Sequence, residues 1–420
     1  MNNIALIARG PQDEYVIDNT LPVYPEITQY TDFSIDQKTV QFGNPPFIGR
    51  LHRIDINPRT IDGDVISNMH ISISLPKLAT GSTYCDNIGR NLIRTCRFYV
   101  DDTVIEETFP EWFVIHDDIF LDDDEKMALS NVINEGYSTS KDDFKLNYTD
   151  NPHMVDVIIP LEFFFCRRHS PYKSYRERSS KPFFPLCAVW RQNVYIEIEF
   201  QPQTLFTNSS DMIDFVKTPE LIIETCKLTP EERYGIMERP QKFIITQVYR
   251  EPVTDLVNNT DGKFKFTAKF PVSLTTWFFR KKVYENANDS QYFDNRFQFG
   301  YSYTENNQLK TLDPFQFIRL FINNQDSTPE IGGISFFKHI QALNYNMSTP
   351  NNEIYIYSFG KYPKEYRIDT TFNFKDASAF IQFSLDDKIA LDVRENYTFN
   401  VYHFGYAEVM ISNGRLLRVG

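Results

Sequence analysis

The sequence predicts an all-β protein made of two tandem antiparallel β-sandwiches with small embedded helices, and three observations carry that prediction. Aromatic residues make up 15% of the 420 positions, with 37 Phe and 24 Tyr. Together with Val, Ile and Thr they suit pleated, half-buried surfaces better than helices. Short segments alternate apolar and polar residues with period two, at Ile66–Leu75, Arg97–Val100, Asn193–Phe200, Phe264–Phe270, Glu353–Ser358 and Tyr397–His403. Such alternation buries one face and wets the other, as in antiparallel sandwiches. Finally, the second half repeats the order of the first, and 420 residues exceed what one core usually supports.

Taken in order, residues 1–25 read as an arm outside both sandwiches, because the Gly10-Pro11 step interrupts any regular element. Its candidate contact residues are Ala5, Leu6, Ile7, Arg9, Gln12 and Tyr15. Residues 26–229 form the first sandwich. Within it, Asp101-Asp102 suits a tight hairpin, since Asp tolerates positive φ. Pro110–Phe120 and Asp122–Ile133 have helical spacing, with Trp112, Ile115 and Ile119 on one stripe and a solvated acidic start at Asp122–Glu125. Trp112, Phe163, Phe165, Trp190, Ile196, Ile198 and Phe200 are expected in the first core, with Glu197 and Glu199 facing away from it. Residues 230–240 read as a linking helix: Thr229 caps it, Pro230 opens it, Glu231 and Glu232 meet the positive end of its dipole, and Pro240 stops it. Residues 241–420 form the second sandwich, in which Arg280–Asp313 reads as a long exposed loop.

The repeat is specific in its order. The segment from Thr31 answers that from Gln241, and Arg97–Asp102 answers Arg319–Asn324. The strand at 155–165 answers the one from Glu353, Asn193–Phe200 answers the one from Ser378, and the segment from Glu220 answers the one from Tyr397. Two eight-stranded antiparallel sandwiches in this order make a double jelly roll.

Charge and cysteine usage narrow the function. A net charge of −13 disfavours a sequence-independent grip on nucleic acid, which needs cations facing phosphate. Five scattered cysteines fit reduced thiols in a cytosolic setting better than a disulfide framework. The N-terminus lacks a basic n-region, and the longest apolar run, around 157–166, is half a membrane span and contains Glu162, so the chain reads as soluble and made in the cytosol.

Catalytic and metal sites find little support. Cys166 and His169 could supply two metal ligands, but a structural zinc needs four, and a packed thiol beside a loop imidazole explains them. Asp117, Asp118 and Asp122–Glu125 lack the glycine and terminal glutamate of a calcium loop. Glu106 and Glu107, adjacent on a strand, point to opposite faces and cannot flank one glycosidic bond. Nucleophile-elbow, phosphate-loop and dinucleotide fingerprints are missing, so no enzymatic activity and no cofactor are expected. The Asn-x-Ser/Thr sequons at Asn147, Asn208, Asn258, Asn288, Asn346 and Asn396 read as products of a polar surface.

One stretch has a sharper identity. Val157–Phe165 runs into a basic loop, then Pro185–Trp190 and the strand Asn193–Phe200, an order that resembles the signature of the major capsid proteins of nucleocytoplasmic large DNA viruses. The likeness extends over most of the chain: Ala8–Tyr15, Gly63–Ile66, Asn87–Ile93, Glu111-Trp112, Leu228–Arg233, Ile354–Phe359, Phe372–Phe374 and Phe404–Gly414 resemble family motifs in the family's order. The chain departs from the pattern at Asp101-Asp102, where the family has Gly-Gly, at Arg415–Arg418 near the end, and in the longer, more basic loop Arg167–Lys181.

The resemblance implies a structural protein of the virion shell, made and assembled in host cytoplasm, whose homotrimers form pseudo-hexameric capsomers tiling an icosahedral capsid. It implies neighbouring capsomers, minor capsid proteins and an inner viral membrane as partners, with no sequence-specific nucleic acid. A transient assembly scaffold or a minor capsid paralogue would share the fold, and a carbohydrate-binding or glycoside-cleaving sandwich is the rival from another class. The basic loop is the candidate assembly contact: Arg167, Arg168, Lys173, Arg176, Arg178 and Lys181 stand against one acid, Glu177, and suit an anionic face or membrane.

Overall fold

The computed structural model describes residues 33–42, 47–56, 61–133, 154–166, 183–258, 262–306, 308–329, 333–361, 363, 370–375 and 377–419. Eight strands precede residue 229: β1 (Phe33–Gln41), β2 (Leu51–Asp55), β3 (Val65–Pro76), β4 (Ile93–Val100), β5 (Thr103–Thr108), β6 (Met154–Pro160), β7 (Val194–Phe200) and β8 (Lys217–Leu228). They pair antiparallel as two four-stranded sheets, β1-β8-β3-β6 and β2-β7-β4-β5. Consecutive strands mostly fall in opposite sheets, which is the jelly-roll connection.

The pattern recurs after residue 240. There β9 (Gln241–Arg250), β10 (Thr254–Asp255), β11 (Lys263–Lys265), β12 (Pro271–Lys281), β13 (Tyr301–Glu305), β14 (Gln308–Leu312), β15 (Phe315–Ile322), β16 (Gln325–Asp326), β17 (Tyr355–Ser358), β18 (Phe372–Asn373), β19 (Ala379–Leu385), β20 (Tyr397–Ser412) and β21 (Arg415–Val419) follow one another. One sheet runs β9-β20-β12-β17, joined by β10, β18 and β21, and the other runs β11-β19-β15-β16. Every strand match read from the sequence occupies the same place in its sandwich: β1 with β9, β4 with β15, β6 with β17, β7 with β19 and β8 with β20. The protein is a double jelly roll.

Local chemistry sets the turns. Asp101 takes φ 49° in the β4–β5 hairpin, and Asn323 and Asn324 take 51° and 63° in its counterpart between β15 and β16. Two successive positive φ values match the twist of the flanking strands, and Asn adopts them at small cost. On β7, Ile196, Ile198 and Phe200 are buried while Glu197 and Glu199 are half-buried on the opposite face, as alternation demands.

The helices begin where their caps predict. The first, α1 (Pro110–Phe120), starts with proline at its first turn, and α2 (Asp123–Ile133) is opened by a reciprocal box. In that box Glu125 N donates to Asp122 Oδ1 at 2.9 Å and Asp122 N donates to Glu125 Oε2 at 3.2 Å. The linking helix α3 (Pro230–Glu238) has Thr229 Oγ1 accepting from Glu232 N at 3.4 Å.

Three expectations change. Trp112, Ile115, Ile119 and Phe120 are buried, yet not in the first core: they pack with Val248, Leu274, Phe278, Tyr402 and Phe404 of the second sandwich. Helical periodicity marks an apolar face but not what covers it. Trp190 keeps 39% of its surface exposed, because its ring lies over the Asn413-Gly414 turn and beside Arg191 instead of entering the sheet. The stretch Arg280–Asp313 contains the β13–β14 hairpin and buries Tyr284, Arg296 and Phe299, so it is not a simple exposed loop.

Candidate assembly interface

Within the chain, the two sandwiches meet through α1, and the junction shows what kind of contact this fold makes. Every residue of α1 is buried. Its Glu111 accepts from Arg280 Nη1 at 2.8 Å, Arg296 Nη2 at 3.2 Å and the Tyr402 hydroxyl at 3.3 Å. Burial alone would raise the Glu111 pKa, but Arg280, Arg296 and Arg250 outweigh it and hold the carboxyl well below its usual range. Further along the helix, Asp117 takes a forked pair of bonds from Arg90, at 2.9 Å from Nε and 3.0 Å from Nη2. Asp118 accepts from the backbone of Asn351 and Asn352 at 3.0 and 3.3 Å, which ties the first sandwich to the second.

The C-terminal hairpin forms a second clasp. Ala407, Val409 and Ile411 of β20, Leu416 of β21 and Ile245 of β9 belong to the first sandwich's core. Arg191 N donates to Gly414 O at 3.1 Å, and Arg418 Nη1 donates to Val104 O at 3.1 Å and Ile105 O at 3.3 Å. Gly414, at φ +76°, is required twice over: a Cβ there would stand 2.6 Å from the Trp190 ring, in a conformation that side chains resist. The departure from the family pattern at Arg415–Arg418 is therefore a working part of the junction.

The outer edges are unlike this. Strand β1 pairs with β8 on one side, and Ser34–Gln37 are exposed, Ile35 by 60%. The second sandwich presents its own edge at the β15–β16 hairpin, where Gln325 and Asp326 are exposed and Phe317 is 41% exposed. Edges with free backbone groups and exposed apolar side chains invite pairing with another chain.

The residues singled out from the sequence fall unevenly. The arm residues Ala5, Leu6, Ile7, Arg9, Gln12 and Tyr15, and the basic residues Arg167, Arg168, Lys173, Arg176, Arg178 and Lys181, lie outside the described residues, as does His169. Phe163, Phe164, Phe165 and Cys166, where the loop leaves the sandwich, are fully buried. The acidic run divides: Asp122, Asp123 and Asp124 are exposed, whereas Asp117 and Asp118 are buried ion-pair partners. Glu106 is buried and accepts from Phe164 N at 2.6 Å, while Glu107 pairs with Arg97 at 2.7 Å on the other face. Among the described residues no group of three His, Cys, Asp or Glu side chains is placed to hold a metal, and all five cysteines are buried and unbridged. Sequence reading missed Glu111, Arg280 and Arg296; the signal was a charge inside an apolar run, as in Trp277-Phe-Phe-Arg280.

Two family models match in tandem: "Major capsid protein N-terminus" over residues 25–225 and "Large eukaryotic DNA virus major capsid protein" over residues 232–419. The chain belongs to the major capsid protein family of large eukaryotic DNA viruses. Capsid protein 1 of Acanthamoeba polyphaga mimivirus is 19% identical over 307 residues, 68% of this chain and 49% of the relative, so the chain spans about half of that protein's length. The PBCV-1 virus capsid model matches with a TM-score of 0.69 at 16% identity, covering 94% of this chain and 98% of that one. The Faustovirus major capsid protein matches with a TM-score of 0.66 at 11% identity, covering 98% and 99%. At those identities the structures establish the shared double jelly roll, and the tandem family matches establish the kinship.

Proposed function

We propose that the chain is a major capsid protein that acts by association alone, as closed homotrimers whose six sandwiches form a pseudo-hexameric capsomer of an icosahedral virion shell. The observation that carries this reading is the unequal use of equivalent edges. In the first sandwich β5 lies against β9, so one lateral contact is satisfied inside the chain. Among the described residues the equivalent elements are edges, β1 pairing only with β8 and β16 only with β15. A head-to-tail contact between these surfaces generates a closed ring if the rotation closes. Two wedges per chain close a six-wedge ring with three chains. An obligate contact of this kind buries on the order of 2,000 Å² or more.

In this reading residues 1–25 are an arm that docks on minor capsid proteins or neighbouring capsomers, and the basic loop Arg167–Lys181 meets an anionic face or the inner viral membrane. Residues 26–229 and 241–420 are the two domains, joined by residues 230–240. Synthesis and assembly take place in host cytoplasm.

Sedimentation or mass photometry should find a species at three times the 49.4 kDa chain mass, and images should show three-fold particles with a hexagonal outline. Only monomer at micromolar concentration would count decisively against the trimer. Absence of the protein from purified virions would favour the scaffold reading, and specific signals on a glycan array would favour a carbohydrate-binding sandwich. Replacing all six loop cations with Gln should leave trimers folded while reducing assembly or liposome binding in a salt-dependent way.

A further inference from the structure

A cavity of about 550 Å³ opens beside the Glu111 cluster, where strands of the first sandwich face the start of the loop after β12. Its walls are rich in guanidinium groups, and their counter-charges do not balance. Arg94 pairs with Glu199 at 2.9 Å and Arg97 with Glu107 at 2.7 Å, which neutralises the outer wall. Deeper in, Arg280 bonds both Glu111 and Glu285, and Arg296 shares the same Glu111 oxygen. The side-chain oxygen of Gln201, in the amide orientation its neighbours dictate, faces Arg296 at 2.7 Å. Arg250 is the remainder: it lies near the rings of Phe109 and Tyr402, at 5.7 and 5.9 Å, and makes no ion pair among the described residues.

Three inner cations therefore stand against two carboxylates. The Nε atoms of Arg250, Arg280 and Arg296 are all buried without a hydrogen-bond partner. Burial pushes the Arg296 pKa down despite Glu111, whereas for Arg250 and Arg280 neighbouring Tyr402, Glu111 and Glu285 outweigh burial and hold the pKa up. A buried cation without its full complement is costly, and proteins keep such groups paired or bound to an ion. Arg250 is half-buried, so water and the aromatic faces relieve part of this, and its fork makes no hydrogen bond among the described residues.

We propose that this cavity is a binding site for a small tetrahedral oxyanion of the phosphate or sulfate class, with Arg250 as its principal donor. The planar fork of arginine matches two oxygens of such an ion, and the volume accommodates one together with water. The bound ion would complete the charge balance between α1 and the second sandwich, and so strengthen the junction.

The test is thermal unfolding of the full chain at fixed ionic strength, with sodium chloride exchanged stepwise for phosphate, alongside calorimetric titration with inorganic phosphate. Wild-type protein should bind one phosphate per chain and gain about 1–2 °C in Tm at ten times the dissociation constant. Arg250→Gln should lose both signals, whereas Arg53→Gln, on the exposed face of β2 and outside the cavity lining, should keep them. Should Arg250→Gln fail to fold, Arg250→Lys, which keeps the charge but not the fork, should fold and bind at least tenfold more weakly. No phosphate-dependent gain in the wild type, or an equal gain in the Arg250 variants, overturns the proposal. So does protection that depends on protein concentration but not on phosphate, which would mean that a carboxylate from a second copy fills the cavity.

Discussion

Strands β1 and β9 hold the same place in the two sandwiches, each pairing with the last long strand of its own jelly roll. Their surroundings differ. On β9, Ile245–Val248 are buried, Ile245 in the first sandwich's core, and Gln247 bonds both Tyr406 O and Arg418. On β1, no side chain from Ser34 to Gln41 is buried. One strand position thus serves as a finished interface in one half and as an open edge in the other. Each half obeys the same folding rules, while among the described residues the contact that buries β9 has no counterpart on β1.

The junction can be broken at its charge centre, and that should give the largest effect. Glu111→Ala leaves Arg280 and Arg296 facing each other without their shared carboxylate, which should cost about 3–5 kcal/mol in denaturant unfolding. A loss below about 1 kcal/mol would mean that the cluster relaxes or is wetter than its burial implies.

The edge comparison itself is sharpened by truncating both strands. Ile245→Ala, in the first sandwich's core cluster, should cost about 2–5 kcal/mol. Ile35→Ala, on the open edge, should change chain stability by no more than about 0.5 kcal/mol. Ile35→Lys should instead lower the trimer fraction in sedimentation. Equal losses from the two alanine variants would show that β1 is covered within the chain.

A pH titration probes a buried pair in the second sandwich. His403 is fully buried, its Nδ1 2.8 Å from Thr275 Oγ1 and its Nε2 3.0 Å from Glu251 Oε1. Burial lowers the His403 pKa despite Glu251, so the unfolded chain binds the proton first and stability falls as pH drops below about 6.5. Burial would raise the Glu251 pKa, but bonds from His403 and Thr267 win and depress it. Its contribution is present above the ordinary glutamate pKa and is lost as pH falls through the depressed value. His403 and Glu251 therefore pull the unfolding free energy down on acidification, against the opposite pull of Glu353, whose pKa burial raises to about 7, and His403→Gln should remove the His403 part of that decline. An unchanged profile in His403→Gln would place the acid sensitivity elsewhere.

A modest effect belongs to the connection between the halves. Thr229→Ala removes the side-chain cap of α3 and should cost about 1 kcal/mol, while Thr229→Asp should be nearly neutral, since either side chain can accept from the first turn. A much larger loss would mean that the helix also sets the spacing of the two sandwiches.

The sequence by itself determined the elements that depend on local chemistry. Period-two alternation located the strands, because each residue's facing follows from its neighbours along one chain. Helical spacing marked α1, and a cap and two prolines bounded α3, because a helix end is satisfied by residues within one turn. The Asp101-Asp102 hairpin followed from a residue type that tolerates positive φ. The order of the repeat was legible too, because the same topology imposes the same succession of buried faces. Only the tertiary structure decided what those faces touch. Trp112 was readable as buried but not as buried against Phe404, and Trp190 was readable as apolar but not as the seat of Gly414. Glu111, Arg280 and Arg296 looked like misplaced charges until folding brought residues 169 and 185 positions apart within hydrogen-bond reach. Pairing at that distance along the chain leaves no periodic trace, since Coulomb attraction depends on separation in space, and space is set only when both sandwiches have formed.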